Sequence, residues 1–183
     1  MLTPDNLLQT ILDNIETGGS LLVLGIGEGR YELEFGAQSI FGIDICDKKL
    51  EKCKHKAMVA KMDVRNLDIF LDKSFDTVSM IDLIEHFTKD DAIKILRGIE
   101  RIVRKQIILF VPVQSELVDD VNKLKNMQED CIIRGDDAGY HLSLWKEEFF
   151  QRLGYKTIYS PEFHGTFGAF LAIKKMDDIA LNK

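Results

Sequence analysis

The stretch Leu21-Leu-Val-Leu-Gly-Ile-Gly-Glu-Gly29, with Ser39-Ile-Phe-Gly-Ile-Asp44 downstream of it, decides how this chain is read. One apolar run ends in three alternate glycines. A second apolar run ends in an acid 15 residues after the last of them. The pattern predicts a strand over 20–25, a tight turn, a helix over about 29–35, and a second strand over 39–43 with a carboxylate at its tip. Glycines let the backbone turn sharply and let a ligand come close without meeting a Cβ. An acid about 20 residues on can accept hydrogen bonds from ribose hydroxyls. The N-terminal third is therefore expected to bind an adenosine-type cofactor.

Outward from this stretch, strand and helix signals alternate. Thr3 and Pro4 open a first helix, carried by Leu7, Leu8, Ile11, Leu12 and Ile15 and ended by Gly18-Gly19. A helix over about 47–55, a short strand near 57–61, one helical turn around 66–70 and a strand over 75–81 follow. Thr88-Lys-Asp-Asp91 caps a helix whose apolar face is Ala92, Ile95, Leu96, Ile99 and Val103. A strand over 106–111 stops at Pro112. From about 113 to 141 the pattern breaks, and this segment reads as a lid or insertion within a single domain spanning 1–183. Ser143 is expected to cap a helix with Trp145, Phe149 and Leu153 on one face. Two strands over about 155–162 and 166–173, joined at His164-Gly165, close the chain before a charged tail. Alternation of this kind implies an α/β fold, a parallel sheet with helices on both faces. The last two strands, with no helix between them, imply one antiparallel strand in it.

Composition narrows the function. With 183 residues, 45% hydrophobic content and a net charge of −6, the chain lacks the basic surface that nucleic acid demands. A small-molecule substrate is expected, without nucleic-acid or membrane partners. No apolar run nears the ~18 residues of a membrane span, and the N-terminus carries no leader pattern, so the expected location is cytoplasmic. Cys46, Cys53 and Cys131 show no paired spacing and are read as reduced. No histidine and cysteine cluster has zinc spacing, so no metal is expected.

On these motifs the chain resembles the class I S-adenosylmethionine-dependent methyltransferases of small-molecule type, over roughly 18–173. The resemblance implies a Rossmann-like three-layer sandwich, a seven-stranded mostly parallel sheet with an antiparallel last strand. Leu24-Gly-Ile-Gly-Glu-Gly29 is similar to the family's glycine motif, which implies that Gly25, Gly27 and Gly29 pass the methionine portion of the cofactor. Asp44, followed by Ile45, matches the acid that binds the ribose hydroxyls. Lys61-Met-Asp63-Val64 is similar to the motif in which the acid accepts from the adenine amino group and the next backbone N–H meets the ring. Phe75 to His86, with Asp82 and Glu85-His86, resembles the fourth motif.

Two features depart from the family pattern. Val23 stands where most relatives carry an acid, with Glu28 inside the turn as a substitute. The Asn-Pro-Pro-Tyr signature for amino groups of bases and protein amides is missing. The dinucleotide fingerprint is broken because its third glycine position is Arg30.

Methyl transfer from a sulfonium needs the acceptor placed in line and water kept out. A hydroxyl or protonated amine also needs a base. His141, His86 and Asp82 are the catalytic candidates, with Glu85 beside them, and Asp82 is also a cofactor contact. The expected function is O- or N-methylation of a small acceptor with S-adenosylhomocysteine as product. The alternative is a non-catalytic cofactor-binding or partner module.

Overall fold

In the computed structural model, residues 2–113, 141–161, 163 and 168–176 are described. Leu21 and Val23 pack on one side of their strand and Leu22 and Leu24 on the other, and all four are buried. Such a strand lies inside a sheet covered on both faces, which is why it reads as a continuous apolar run. The strands are β1 (Ser20–Leu24), β2 (Ser39–Asp44), β3 (Met58–Lys61), β4 (Phe75–Ile81), β5 (Val103–Pro112), β6 (Lys156–Ser160) and β7 (Ala169–Lys175). They form one seven-stranded sheet in the order β3-β2-β1-β4-β5-β7-β6. Neighbours from β3 to β5 pair in parallel, and β7 runs antiparallel between β5 and β6. The expected α/β sandwich with a single antiparallel strand is therefore the observed architecture.

One face is covered by α1 (Leu7–Leu12) and α2 (Asp47–Cys53), whose Leu7, Ile11, Leu50 and Cys53 meet Leu21, Val23, Ile108 and Phe110. The other carries α3 (Lys89–Ile102) and α4 (Glu147–Arg152), with Ile95, Ile99, Trp145 and Phe150 against Leu22, Val78, Leu109 and Phe170. Trp145 is thus a core anchor, its ring also covered by the Lys89 ammonium 3.4 Å from the centroid. Each fully buried Leu or Ile here contributes about 1.5–3 kcal/mol. Among the described residues no helix is long and apolar enough to cross a membrane.

Several expectations need correction. The helix over 29–35 is only a 3-10 turn, Glu32–Glu34. Gly29 and Gly36 both have positive φ and bracket it, which leaves too few residues to repay helix nucleation. Ser143 caps no helix. It is buried, its hydroxyl donates to the Ile84 carbonyl at 3.5 Å, and α4 starts later behind Lys146. Cys53 is free and buried, but Cys46 is disulfide-bonded, against the reading of all three cysteines as reduced. The segment expected as a lid lies outside the described residues except at 113 and 141, and so do Cys131 and the His164-Gly165 turn.

Candidate active site

At the carboxyl end of β1 the chain turns through glycines with φ of +69° at Gly25 and +54° at Gly27, where L side chains are strained. A Cβ on Gly25 would also lie 2.8 Å from Leu83 Cδ2. The turn is hung on β2: the N–H groups of Gly25 and Ile26 both donate to the Ile43 carbonyl, at 2.8 and 3.0 Å. The next residue of β2, Asp44, is buried. Its Oδ2 accepts from the Gly27 N–H at 2.9 Å and its Oδ1 from the Cys46 N–H at 2.8 Å. One carboxylate thus fastens both the glycine turn and the entry to α2. A carboxylate has about four acceptor positions, so acceptor capacity remains for a ligand.

Strand order reverses between β1 and β4, and open α/β sheets bind ligands outside the carboxyl ends of strands at such a point. A cleft lies there. Gly25, Asp44 and Ile45 line it from β1 and β2, and Met62, Asp63 and Val64 from the end of β3. Leu83, His86, Phe87 and Thr88 close it from β4, with Asp91 of α3 and Leu142 at the rim. The polar groups differ in readiness. Burial works to raise the Asp63 carboxyl, but hydrogen bonds and charge from Arg65 overcome this and hold it below its ordinary value. Arg65 donates from Nε at 3.0 Å and from Nη2 at 2.5 Å to Asp63 Oδ2.

A family model described as "Methyltransferase domain" matches residues 22–111, just under half of the chain and the part that supplies every cleft-lining residue but Leu142. The chain belongs to the class I S-adenosylmethionine-dependent methyltransferases. Solved structures share its fold. Magnesium protoporphyrin IX methyltransferase from Synechocystis, with S-adenosylhomocysteine bound, is 14% identical with a TM-score of 0.62, covering 92% of this chain and 81% of its own. A SAM-dependent methyltransferase from Archaeoglobus fulgidus is 18% identical with a TM-score of 0.64, covering 92% and 90%. The small RNA methyltransferase HEN1 is 18% identical with a TM-score of 0.63, covering 95% of this chain and 25% of its own. No curated protein matches the sequence.

In this methyltransferase, six of the residues singled out from sequence line the cleft: Gly25, Asp44, Ile45, Asp63, Val64 and His86. Gly27 and Gly29 belong to the same turn but are not among the lining residues. Glu28, the substitute acid, is exposed and paired with Lys52 at 2.5 Å, so it does not replace the acid missing at Val23, which is fully buried. Asp82 is exposed, adopts φ +47° and donates its N–H to the Phe110 carbonyl at 3.0 Å. A non-glycine residue in this conformation at a strand end is local strain of the kind stored at functional sites.

The catalytic candidates converge in an unforeseen way. His141 packs edge-on against His86, ring centroids 4.9 Å apart at 89°. The backbone explains the meeting: the N–H groups of Leu142 and Ser143 donate to the Glu85 carbonyl at 2.7 and 3.1 Å. Lys89 also donates to the Leu144 carbonyl. Glu85 itself is buried, with Oε1 3.8 Å from His86 Nε2 and Oε2 lacking any hydrogen-bond partner among the described residues. Burial first, and the charge of Asp82 second, push its carboxyl well above the ordinary carboxylate range. Sequence reading named these residues singly but missed their pairing, and it missed Arg65, Leu83 and Asp91 as cleft residues. The one available signal was Thr88-x-x-Asp91, since a capped helix starting after β4 must present its N-terminus at this end of the sheet. The Thr88 hydroxyl does accept from the Asp91 N–H.

Proposed function

We propose that this methyltransferase transfers the cofactor's methyl group to an oxygen or nitrogen of a small-molecule acceptor. The cofactor supplies a methyl already activated on a sulfonium. In this reading Asp44 accepts from the ribose hydroxyls through its remaining acceptor positions, and Ile45 lies beside them. Asp63 and the Val64 N–H meet the adenine. Gly25, backed by Gly27 and Gly29, gives the methionine portion backbone room where any Cβ would intrude, and Asp82 stands at the end of β4 beside it. His86 and His141 hold or accept the acceptor's proton. The observation that carries this reading is the convergence of Gly25, Asp44, Ile45, Asp63 and Val64 on one cleft. The net charge of −6 favours a small acceptor over nucleic acid.

Calorimetric titration with S-adenosylmethionine and S-adenosylhomocysteine, with NAD as control, tests the cofactor half. Micromolar binding of the first two alone is the expected result. Turnover against small hydroxyl, carboxyl and amine acceptors, with a short RNA as comparison, tests the acceptor half. Methylation of the RNA alone would overturn the small-molecule reading. A second reading, a cofactor-binding module without catalysis, is favoured by one observation, the apolar Val23 where an acid is usual. It predicts cofactor binding without turnover on any acceptor.

A further inference from the structure

Glu85, His86 and His141 offer one ligand atom each, all within 4.8 Å of one another, and His86 lines the cleft. We propose that they form a site for one divalent transition-metal cation. Donors around such a cation, with bonds of about 2.0–2.2 Å, lie roughly 3–4 Å apart. The Glu85 Oε1 to His86 Nε2 separation is already 3.8 Å. The remaining closure is under an ångström and lies within side-chain rotation, since the two imidazoles already touch edge to face.

Two independent features favour a built site over a chance meeting. The first is the orphaned Oε2 of Glu85, on a side chain only 2% exposed. A buried carboxylate oxygen without a partner is unfavourable unless something satisfies it, and a bound cation does so. The second is the backbone clamp. The Glu85 carbonyl accepts from Leu142 and Ser143, so the segment bearing His141 is registered on the same residue that supplies the carboxylate.

Two imidazoles and one carboxylate suit manganese, iron, cobalt or zinc better than magnesium or calcium, which prefer all-oxygen sets. Three protein ligands leave positions open. This extends the methyl-transfer reading and rests on it, with His86 and His141 as ligands in place of proton acceptors: an open position on the side of His86, which lines the cleft, selects a hydroxyl acceptor over an amine. A hydroxyl on a divalent cation loses its proton more readily. The proton leaves to solvent or a neighbouring base and the oxygen bonds to the methyl carbon. The carbon–sulfur bond breaks with its electron pair staying on sulfur, which leaves a neutral thioether.

The test uses the full chain stripped with a chelator, then titrated with Mn²⁺, Co²⁺, Zn²⁺ or Mg²⁺ alone by calorimetry, with visible absorption for Co²⁺. One ion per chain is expected, with Mg²⁺ weakest. His141→Ala and Glu85→Gln should each weaken Co²⁺ binding about tenfold or more, while S-adenosylhomocysteine affinity shows that the variants are folded. If either variant does not fold, His141→Leu and Glu85→Met, which supply no oxygen or nitrogen donor, serve in its place. Absence of binding to the unmodified chain, or unchanged Co²⁺ affinity in folded variants, overturns the proposal. Intact cofactor binding in that case leaves the methyltransferase reading standing. Cation binding without cofactor binding would sink that reading instead.

Discussion

Asp44 and Glu85 are both buried acids beside strand ends of one sheet, and they are used in opposite ways. Asp44 has each oxygen on a backbone N–H, from Gly27 and from Cys46. Glu85 has one oxygen 3.8 Å from an imidazole nitrogen and the other without a partner among the described residues. Two backbone donors stabilise a carboxylate anion. Burial without donors does the reverse, and the nearby Asp82 charge adds to it. The β1–β2 side of the cleft is therefore assembled before any ligand arrives, whereas the side after β4 keeps a polar group in reserve. That division matches a constant cofactor on one side and a variable reacting group on the other.

The sharpest way to break the comparison is Asp44→Ala. It strips the acceptors from two N–H groups in a tight turn, and each buried orphan costs about 1–3 kcal/mol. A drop of about 2–4 kcal/mol in denaturant unfolding is expected, with cofactor affinity reduced by roughly 100-fold or more as charge-assisted bonds to the ribose are lost. Asp44→Asn keeps one acceptor and should fall between. If Asp44→Ala bound S-adenosylhomocysteine normally, the acid would be only a fastener of the turn.

Glu32 offers a pH-dependent version of the same contrast. It is buried in the 3-10 turn after the glycines. Burial chiefly raises its carboxyl from 4.5 to about 7, with backbone hydrogen bonds from its own residue and Tyr31 opposing and the charge of Asp82 adding. The folded chain holds this proton up to about pH 7 and the unfolded chain releases it near 4.5. The folded state thus binds more protons between those values, and stability falls as pH rises through that window. Glu32→Gln removes the dependence. At pH 8 it should be more stable than the unmodified chain by about 2–3 kcal/mol, and at pH 4 nearly equal. A difference that stays flat from pH 4 to 8 would mean that Glu32 is ionised as it stands.

Gly25→Ala probes the preassembled side more gently. The strained φ of +69° costs on the order of 1 kcal/mol or more, while Leu83 can yield to the new methyl. Cofactor affinity should fall about tenfold with little change in unfolding midpoint beyond that strain. An unchanged affinity would show that the ligand does not approach this backbone.

What was legible in the sequence follows the same division. The preassembled side depends on local chemistry: glycines with positive φ, an apolar run ending in an acid, and a capping threonine three before an aspartate. Each leaves a mark within a few residues, so Gly25, Asp44 and Asp63-Val64 could be placed on one cleft in advance. The helix over 29–35 failed because its apolar and charged residues fit a helix, yet glycines with positive φ on either side cut it to one turn. The side after β4 depends on distance. His86 and His141 meet through two backbone hydrogen bonds to the Glu85 carbonyl, and backbone bonds leave no residue signature. The same blindness hid Arg65, whose position two after Asp63 looks like any exposed basic residue until its guanidinium is seen on that carboxylate.

Arg65→Ala is accordingly the smallest and most discriminating change. The ion pair is half exposed on the arginine side, and such pairs contribute about 0–1 kcal/mol, so stability should barely move. The Asp63 carboxyl, now held low by Arg65 against the opposing effect of burial, should rise toward its ordinary value once the guanidinium is gone. The stability it lends is present above the unfolded carboxyl value and lost as pH falls through the folded one; without Arg65 that acid-side loss should be smaller and complete at higher pH. For the cofactor two effects compete. Removing Arg65 frees acceptor positions on Asp63 for an amino group, and it also lets the carboxylate swing. The pair geometry favours the first, because Nε and Nη2 both occupy Oδ2. A two- to threefold gain in S-adenosylhomocysteine affinity is therefore expected by calorimetry. A tenfold loss would mean that Arg65 grips the cofactor itself, and the end of β3 would then join Asp44 as a site completed by a partner the sequence did not announce.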